Sequence, residues 1–169
     1  MEITTNRPDK LLPEVLKDAL FGKQAHVSLE RALDGLQWHQ AGVEVPQYPH
    51  TIWQQLKHLN YWQDRFISRL EGMTVLPAKS SDEGWCFTKA PMDENEFRRE
   101  VGKLLTGINY TAETILSDPA ELSQQKGDYP HGFGVVQAMA SHLSYHIGEI
   151  VLLRRMMGIW PPPSGGYSW

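Results

Sequence analysis

Two histidines, His142 and His146, have the residue type and the spacing that metal chemistry needs. They stand four residues apart in an apolar segment with a helical pattern. Side chains at positions i and i+4 of a helix lie one turn apart on the same face. Two imidazole nitrogens placed in this way can bind one transition-metal ion and leave room for a third ligand. A pair of surface histidines without a metal is the alternative.

The third candidate ligand is His58, which lies in segment 52–62, where a polar ring again interrupts an apolar helical pattern. We therefore predict a metal site formed by His58, His142 and His146. Three imidazoles suit zinc, nickel, copper or iron, so the residues themselves leave the metal open. The remaining histidines stand in polar or loop-like segments, and we interpret them as surface residues: His26, His39, His50 and His131.

Glu149 continues the stripe of the two histidines, three residues after His146 and seven after His142. It has three functional interpretations: a fourth ligand, a base acting on metal-bound water, or an acceptor for the second nitrogen of a ligand imidazole. The structural alternative is a solvent-facing carboxylate, or one paired with Arg65 or Arg154. We favour either this structural alternative or the role of acceptor for a ligand imidazole.

Several other kinds of chemistry are excluded by the motifs that the sequence lacks. It has no glycine-rich phosphate loop and no nucleophile elbow. The residues between His142 and His146 are Leu-Ser-Tyr, so the glutamate that zinc proteases place in a His-Glu-x-x-His motif is missing. No catalytic residue beyond the metal ligands is assigned from the sequence.

The composition fits a small protein of a reducing compartment. The 169 residues suit one domain. The net charge is -4 and the charged residues are interspersed along the chain, which argues against binding to nucleic acid or to anionic lipid. The single cysteine excludes an intramolecular disulfide. No apolar run approaches the roughly 20 residues of a membrane span, and the N-terminus is too polar for a signal peptide. We expect a cytoplasmic protein that has no contact with the membrane.

The apolar spacing predicts an all-α fold, a four-helix bundle with long connecting loops. The first helical pattern covers residues 8–36, with Gly22 as its end or a kink. Thr51 is the predicted N-cap of the second helix, which stops at Gly72, and Asp93 is the predicted N-cap of the third. Asp118 and Pro119 end the third helix, and the fourth covers about residues 134–157.

Two connections, 72–91 and 117–132, are longer than is usual in a bundle, and long ordered loops often shape binding sites. Three successive prolines from Pro161 prevent the fourth helix from continuing. We predict one helical domain over residues 1–160 and a Pro-rich, aromatic tail over 161–169. Disorder, packing on the same bundle and packing on a second subunit all stay open for this tail.

Three segments of the chain resemble the DinB-like superfamily, also described as DinB/YfiT-like metalloenzymes. They are residues 49–59, with Trp53 five positions before His58, residues 140–150, with a His-x-x-x-His-x-Gly pattern, and the ending 153–162. One departure is Glu149, where many relatives are expected to have glutamine. The resemblance covers most of the chain.

The resemblance implies a four-helix bundle with a long-connection topology and a divalent metal, usually zinc or nickel. The three implied ligands map onto His58, His142 and His146. It also implies a homodimer, and some relatives transfer small electrophiles to low-molecular-weight thiols such as bacillithiol or mycothiol. The family name reflects DNA-damage-inducible expression of one bacterial member and implies no DNA binding.

Our leading hypothesis is a metal-dependent enzyme that acts on a small molecule, with a thiol as cosubstrate. A thiol at an open coordination position would become a thiolate, and water at that position would instead give a hydrolase. A metal-binding or stress-associated protein without turnover is the rival from another class. A histidine cluster that never binds metal is the third hypothesis.

Overall fold

The computed structural model describes residues 8–23 and 25–165, with side chains from residue 11 onward. Its α-helices are α1 (Pro8–Leu20), α2 (Leu29–Leu33), α3 (Trp38–Ala41), α4 (Ile52–Leu70), α5 (Glu94–Ser117) and α6 (Gly132–Met156). A 3-10 helix, Pro119–Ser123, follows α5. These described ranges contain no β-strand, which confirms the all-α prediction.

The four longer helices, α1, α4, α5 and α6, form the bundle. α4 packs against α5 and α6, and α1 packs against the same two helices from the other side. Their inward faces form one apolar core with fully buried members on every long helix, such as Leu20, Leu59, Leu104 and Ile147. The predicted four-helix bundle is confirmed.

Side-chain pairs show the directions of the helices. Lys57 and Tyr110 bind glutamates of the facing helix, Glu100 and Glu71, so position along α4 and α5 increases together and the two helices are parallel. α4 and α6 are antiparallel, because Gln55 near the start of α4 bonds His146, whereas the later residue Phe66 meets the earlier residue His142. Arg69, at the end of α4, bonds Asp128, which precedes α6. A parallel α4–α5 pair requires segment 71–93 to return along the bundle.

Local signals set the ends of the long helices. The side chains of Thr51 and Asp93 accept hydrogen bonds from the backbone N–H groups of Gln54 and Glu96, so both predicted N-caps are confirmed. α6 begins two residues earlier than predicted, because the exposed ring of His131 caps it through the N–H of Gly134.

The first helical pattern was predicted over residues 8–36 with Gly22 as its end or a kink. The end near Gly22 is confirmed, since α1 stops at Leu20, but the prediction that the helical segment continues to residue 36 was wrong. Gly22 has a φ of 73°, which is incompatible with a right-handed helix, so the helix cannot run through it. A Cβ at this position would lie 2.7 Å from Nδ1 of His26, which also favours glycine. Gly35 also has a positive φ, of 71°. The buried apolar residues between these glycines, Leu29, Ala32 and Leu33, therefore lie on the single short helix α2.

The returning segment 71–93 is fastened to α4 by hydrogen bonds to its carbonyl oxygens. Thr51 donates to the carbonyl of Lys89 over 2.6 Å, and Gln54 donates to that of Cys86 over 2.8 Å. Arg65 donates to the carbonyl of Leu76 nearer the other end of α4. These bonds place the loop residues that precede α5 beside the N-terminal half of α4.

The described part of the tail packs on its own bundle. The N–H of Ser164 donates to a carboxylate oxygen of Asp34 over 3.0 Å. Arg154, fully buried, donates to the carbonyls of Ala32 and Asp34, and its guanidinium lies 5.4 Å from the Trp160 ring. The aromatic residues that end the predicted tail, Tyr167 and Trp169, lie outside the described residues.

Within the described chain, no helix is long and apolar enough to cross a membrane.

Candidate metal centre

The antiparallel packing of α4 and α6 brings the three predicted ligands together. Each of His58, His142 and His146 offers one ring nitrogen, and these nitrogens all lie within 4.8 Å of one another. The Nε2 atoms of His58 and His142 are 3.2 Å apart. In the described part of the chain this is the one cluster of histidine, cysteine or acidic residues with such geometry.

Burial keeps the three imidazoles neutral. His58 and His146 are 6% and 5% exposed, and His142 is partly buried. Burial, with a smaller contribution from the neighbouring histidines, lowers the pKa of His58 to about 4 and that of His142 to about 3, from an ordinary 6.5. Burial also lowers the pKa of His146. A neutral imidazole is the form that binds a metal ion.

The second nitrogen of His146 has two acceptors. Its Nδ1 lies 2.6 Å from Oε1 of Gln55 and 2.8 Å from Oε2 of Glu149. A carboxylate can only accept, so the ring proton belongs on Nδ1 and Nε2 is left free for a metal. Glu149 therefore has the acceptor role, one of the two interpretations that the sequence analysis favoured. Arg65 and Arg154 make other contacts, with Glu83 and with the residues around Asp34.

Aromatic rings surround the histidines. Trp85, from the returning segment, lies between two imidazoles: its ring centroid is 3.6 Å from that of His50 and 3.9 Å from that of His58, with the planes nearly parallel. Trp62 meets His142 at 6.0 Å and Tyr145 meets His146 at 5.0 Å, both edge to face. The site has an aromatic wall on several sides.

The interpretation of His50 as a surface residue was wrong. The ring is partly buried, and its Nδ1 is shielded from solvent. Burial lowers its pKa, against the opposing effect of Glu149. His50 lies in segment 49–59, one of the segments that resemble the DinB-like superfamily, so the sequence did contain an indication that His50 belongs near the site. His39 and His131 are exposed as predicted, and His26 is partly buried.

A family comparison adds to this geometry. The family model of the DinB superfamily matches residues 23–150. The match covers well over half of the chain and includes all three clustered histidines. The chain belongs to the DinB superfamily. No curated protein and no solved structure gave a significant match.

The residues of this DinB-superfamily site fit a metal ion. Two bare imidazole nitrogens only 3.2 Å apart repel each other unless a proton or a cation lies between them, and a metal serves all three rings at once. His146 already has its other nitrogen occupied by Gln55 and Glu149. Three protein ligands leave a coordination position for a small molecule, as catalytic zinc sites do.

A separate cavity of about 530 Å³ lies between α1 and α6 of this DinB-superfamily protein. Its α6 lining includes Gln137, Ser141 and Ser144. At 100° per residue, this face of α6 is turned away from His142 and His146. Tyr145 also lines the cavity and meets His146 edge to face, so the cavity borders the histidine cluster without including its ligand residues.

Proposed function

We propose that this protein is a metal-dependent enzyme acting on a small molecule, with the metal held by His58, His142 and His146. The observation that carries the proposal is the convergence of three neutral ring nitrogens within 4.8 Å. Glu149 supports an open fourth position, because its carboxylate is engaged with Nδ1 of His146. Structural zinc sites usually have four protein ligands.

The reaction we propose is the transfer of a small electrophile to a low-molecular-weight thiol, in line with the resemblance to thiol-transferring relatives. The thiol loses its proton to solvent, its sulfur bonds to the electrophilic carbon, and the leaving group departs with the bonding electron pair. When bound, a divalent ion, zinc or nickel, supplies the Lewis acidity that lowers the pKa of a thiol or of water.

The protein residues around the histidines have two tasks in this reaction. Gln55 and Glu149 hold the ring of His146 in a fixed orientation. Trp62 and Trp85 cover the imidazoles of His142 and His58, which excludes water and offers an apolar wall to an electrophile.

Metal content of the untagged protein tests the first part of the proposal. We expect about one zinc or nickel per chain by elemental mass spectrometry, and loss of that metal in His146→Ala. His39→Ala is the matched control, since His39 is exposed on the short helix α3. Absence of metal after reconstitution with zinc and with nickel would overturn the proposal.

Turnover assays test the second part. We expect the metal-loaded protein to join a small thiol to an activated electrophile, and His142→Ala to lose this activity while it stays folded. Hydrolysis of esters or amides without any need for a thiol would instead assign a hydrolase. A metal that is essential for folding, with no turnover of either kind, would favour the rival of a non-catalytic metal protein.

Three further proposals concern the whole protein. They are the homodimer, the cytoplasmic location, and the division into a domain over residues 1–160 and a tail. Analytical ultracentrifugation of the metal-loaded protein would test the first of them. A single species with the mass of one chain would contradict the homodimer.

A further inference from the structure

The hydrogen bonds around His146 contain one donor and two acceptors. Nδ1 of the ring meets Oε1 of Gln55 at 2.6 Å and Oε2 of Glu149 at 2.8 Å. A ring nitrogen carries at most one proton, so the two acceptors share it. Gln55 is fully buried, and its Nε2 atom has no hydrogen-bond partner within the described chain.

The unpaired Nε2 of Gln55 is unusual because a buried N–H group without a partner is costly. Rotating the amide by 180° would turn Nε2 toward Nδ1 of His146, which would then accept and could not carry the proton. The unpaired atom would become the amide oxygen, and an under-satisfied carbonyl is tolerated better than an orphaned N–H group. By itself, therefore, Gln55 favours the amide orientation opposite to the one observed.

We propose that Glu149 is a positioning residue that fixes the Nδ1–H tautomer of His146, and that the amide of Gln55 follows it. A carboxylate has no proton to offer, so it accepts from Nδ1 in one way only. With the proton on Nδ1, Nε2 keeps the lone pair that a metal ion shared with His58 and His142 would need. Without Glu149, the amide of Gln55 turns and the ring proton moves to Nε2.

The consequence for metal binding rests on the proposed function. A ring with its proton on Nε2 has no lone pair on that atom for the shared metal ion. The proton must therefore return to Nδ1 before the metal can bind. Loss of an outer hydrogen-bond partner of a ligand histidine typically weakens metal binding 10–100-fold. We expect a loss on the order of 10–100-fold in zinc affinity for Glu149→Leu.

The test reads the tautomer directly in the metal-free protein. Long-range nitrogen–proton NMR spectra at neutral pH distinguish the two imidazole tautomers, and His146→Ala assigns the signals. We expect Nδ1–H for the unchanged protein and Nε2–H for Glu149→Leu. Gln55→Leu keeps Glu149 and should keep Nδ1–H, and this retained tautomer is the result that separates the role of Glu149 from that of Gln55. Glu113→Leu removes an exposed carboxylate from α5 and is the control for net charge.

Two results would overturn the proposal: Nδ1–H retained in Glu149→Leu, or Gln55→Leu changing the tautomer as strongly as Glu149→Leu. Glu149→Ala removes the same acceptor with less bulk, and it serves if the leucine variant fails to fold. Zinc affinity by competition with a chelator is the second measurement. If the unchanged protein binds no metal, the proposed function fails, while the NMR result still decides the role of Glu149.

Discussion

Trp85 stacks on His58 with the ring centroids 3.9 Å apart and the planes 16° apart. The two residues come from different parts of the fold, because His58 lies on α4 and Trp85 on the segment that returns along the bundle. Because of this stack, the hydrogen bonds that hold the returning segment on α4 also determine the environment of the histidine cluster. Burial, the main cause of the lowered pKa of His58, is supplied in part by this ring.

Replacing Trp85 tests this relationship. Trp85→Ala should expose His58, raise its pKa toward 6.5, and lower the free energy of unfolding by about 1–3 kcal/mol, since a half-buried tryptophan contributes less than a core one. Urea unfolding measures the stability. Phe87→Ala is the matched control on the same segment, because Phe87 is fully exposed and its loss should cost under about 0.5 kcal/mol. Equal effects of the two variants would contradict the stacking role.

Two glycines of α5 test the close packing of α5 against α4. Gly107 is buried, and a Cβ there would overlap the amide of Gln63, which α4 buries in the interface and which donates to the carbonyl of Lys103. Gly107→Ala should therefore destabilise the protein by about 1–3 kcal/mol. Gly102 is exposed with open space around it, so Gly102→Ala should stabilise by about 0.5–1 kcal/mol. Thermal melts should show shifts of opposite sign, and two shifts of the same sign would contradict the packing.

The helices that carry strong end signals were predictable from the sequence. Thr51 and Asp93 are N-caps that need only neighbouring residues, so α4 and α5 were located correctly. The segment after Leu20 was predicted only in part. Gly22 marked the break, but apolar spacing is the same for one second helix as for the two short helices α2 and α3, which lie on either side of Gly35. The direction of α5 was equally hidden, since contacts such as that of Lys57 with Glu100 exist only once the bundle has formed.

The histidine cluster was predictable for a related reason. His142 and His146 are four residues apart on one helix, so local geometry already places them together. The prediction of His58 as the third member depended on an interrupted apolar pattern and on the family resemblance. Gln55 and Trp85 carry no local signal, because their contacts with the histidines arise from helix packing and from the returning segment.

The stability of the metal-free protein should depend on pH. In the unfolded chain a histidine takes up a proton near pH 6.5, while in the folded protein the pKa values of His58 and His142 are about 4 and about 3. Between these values the unfolded state binds more protons, so stability is fully present above pH 6.5 and falls as the pH drops toward 4. We expect a loss of about 2–4 kcal/mol between pH 7 and pH 5.

Urea unfolding of chelator-treated protein at the two pH values measures this loss. His142→Gln should reduce the difference by roughly half, since one of the two strongly shifted groups is gone. Ser141→Ala removes no titrating group from the same helix and should keep the full difference. A stability that is equal at pH 7 and pH 5 would show that the imidazoles are accessible to protons in the folded state.

Adding zinc to the chelated protein should stabilise it through the histidine cluster. A ligand that binds only the folded state at 100 times its dissociation constant contributes about 2.7 kcal/mol, which corresponds to a rise of roughly 5–10 °C in Tm for a domain of this size. His58→Ala should abolish the rise, because two imidazoles of α6 cannot hold the ion as three do. Magnesium should produce no shift, since it prefers oxygen ligands. An equal rise with zinc in His58→Ala would place the zinc site elsewhere on the chain.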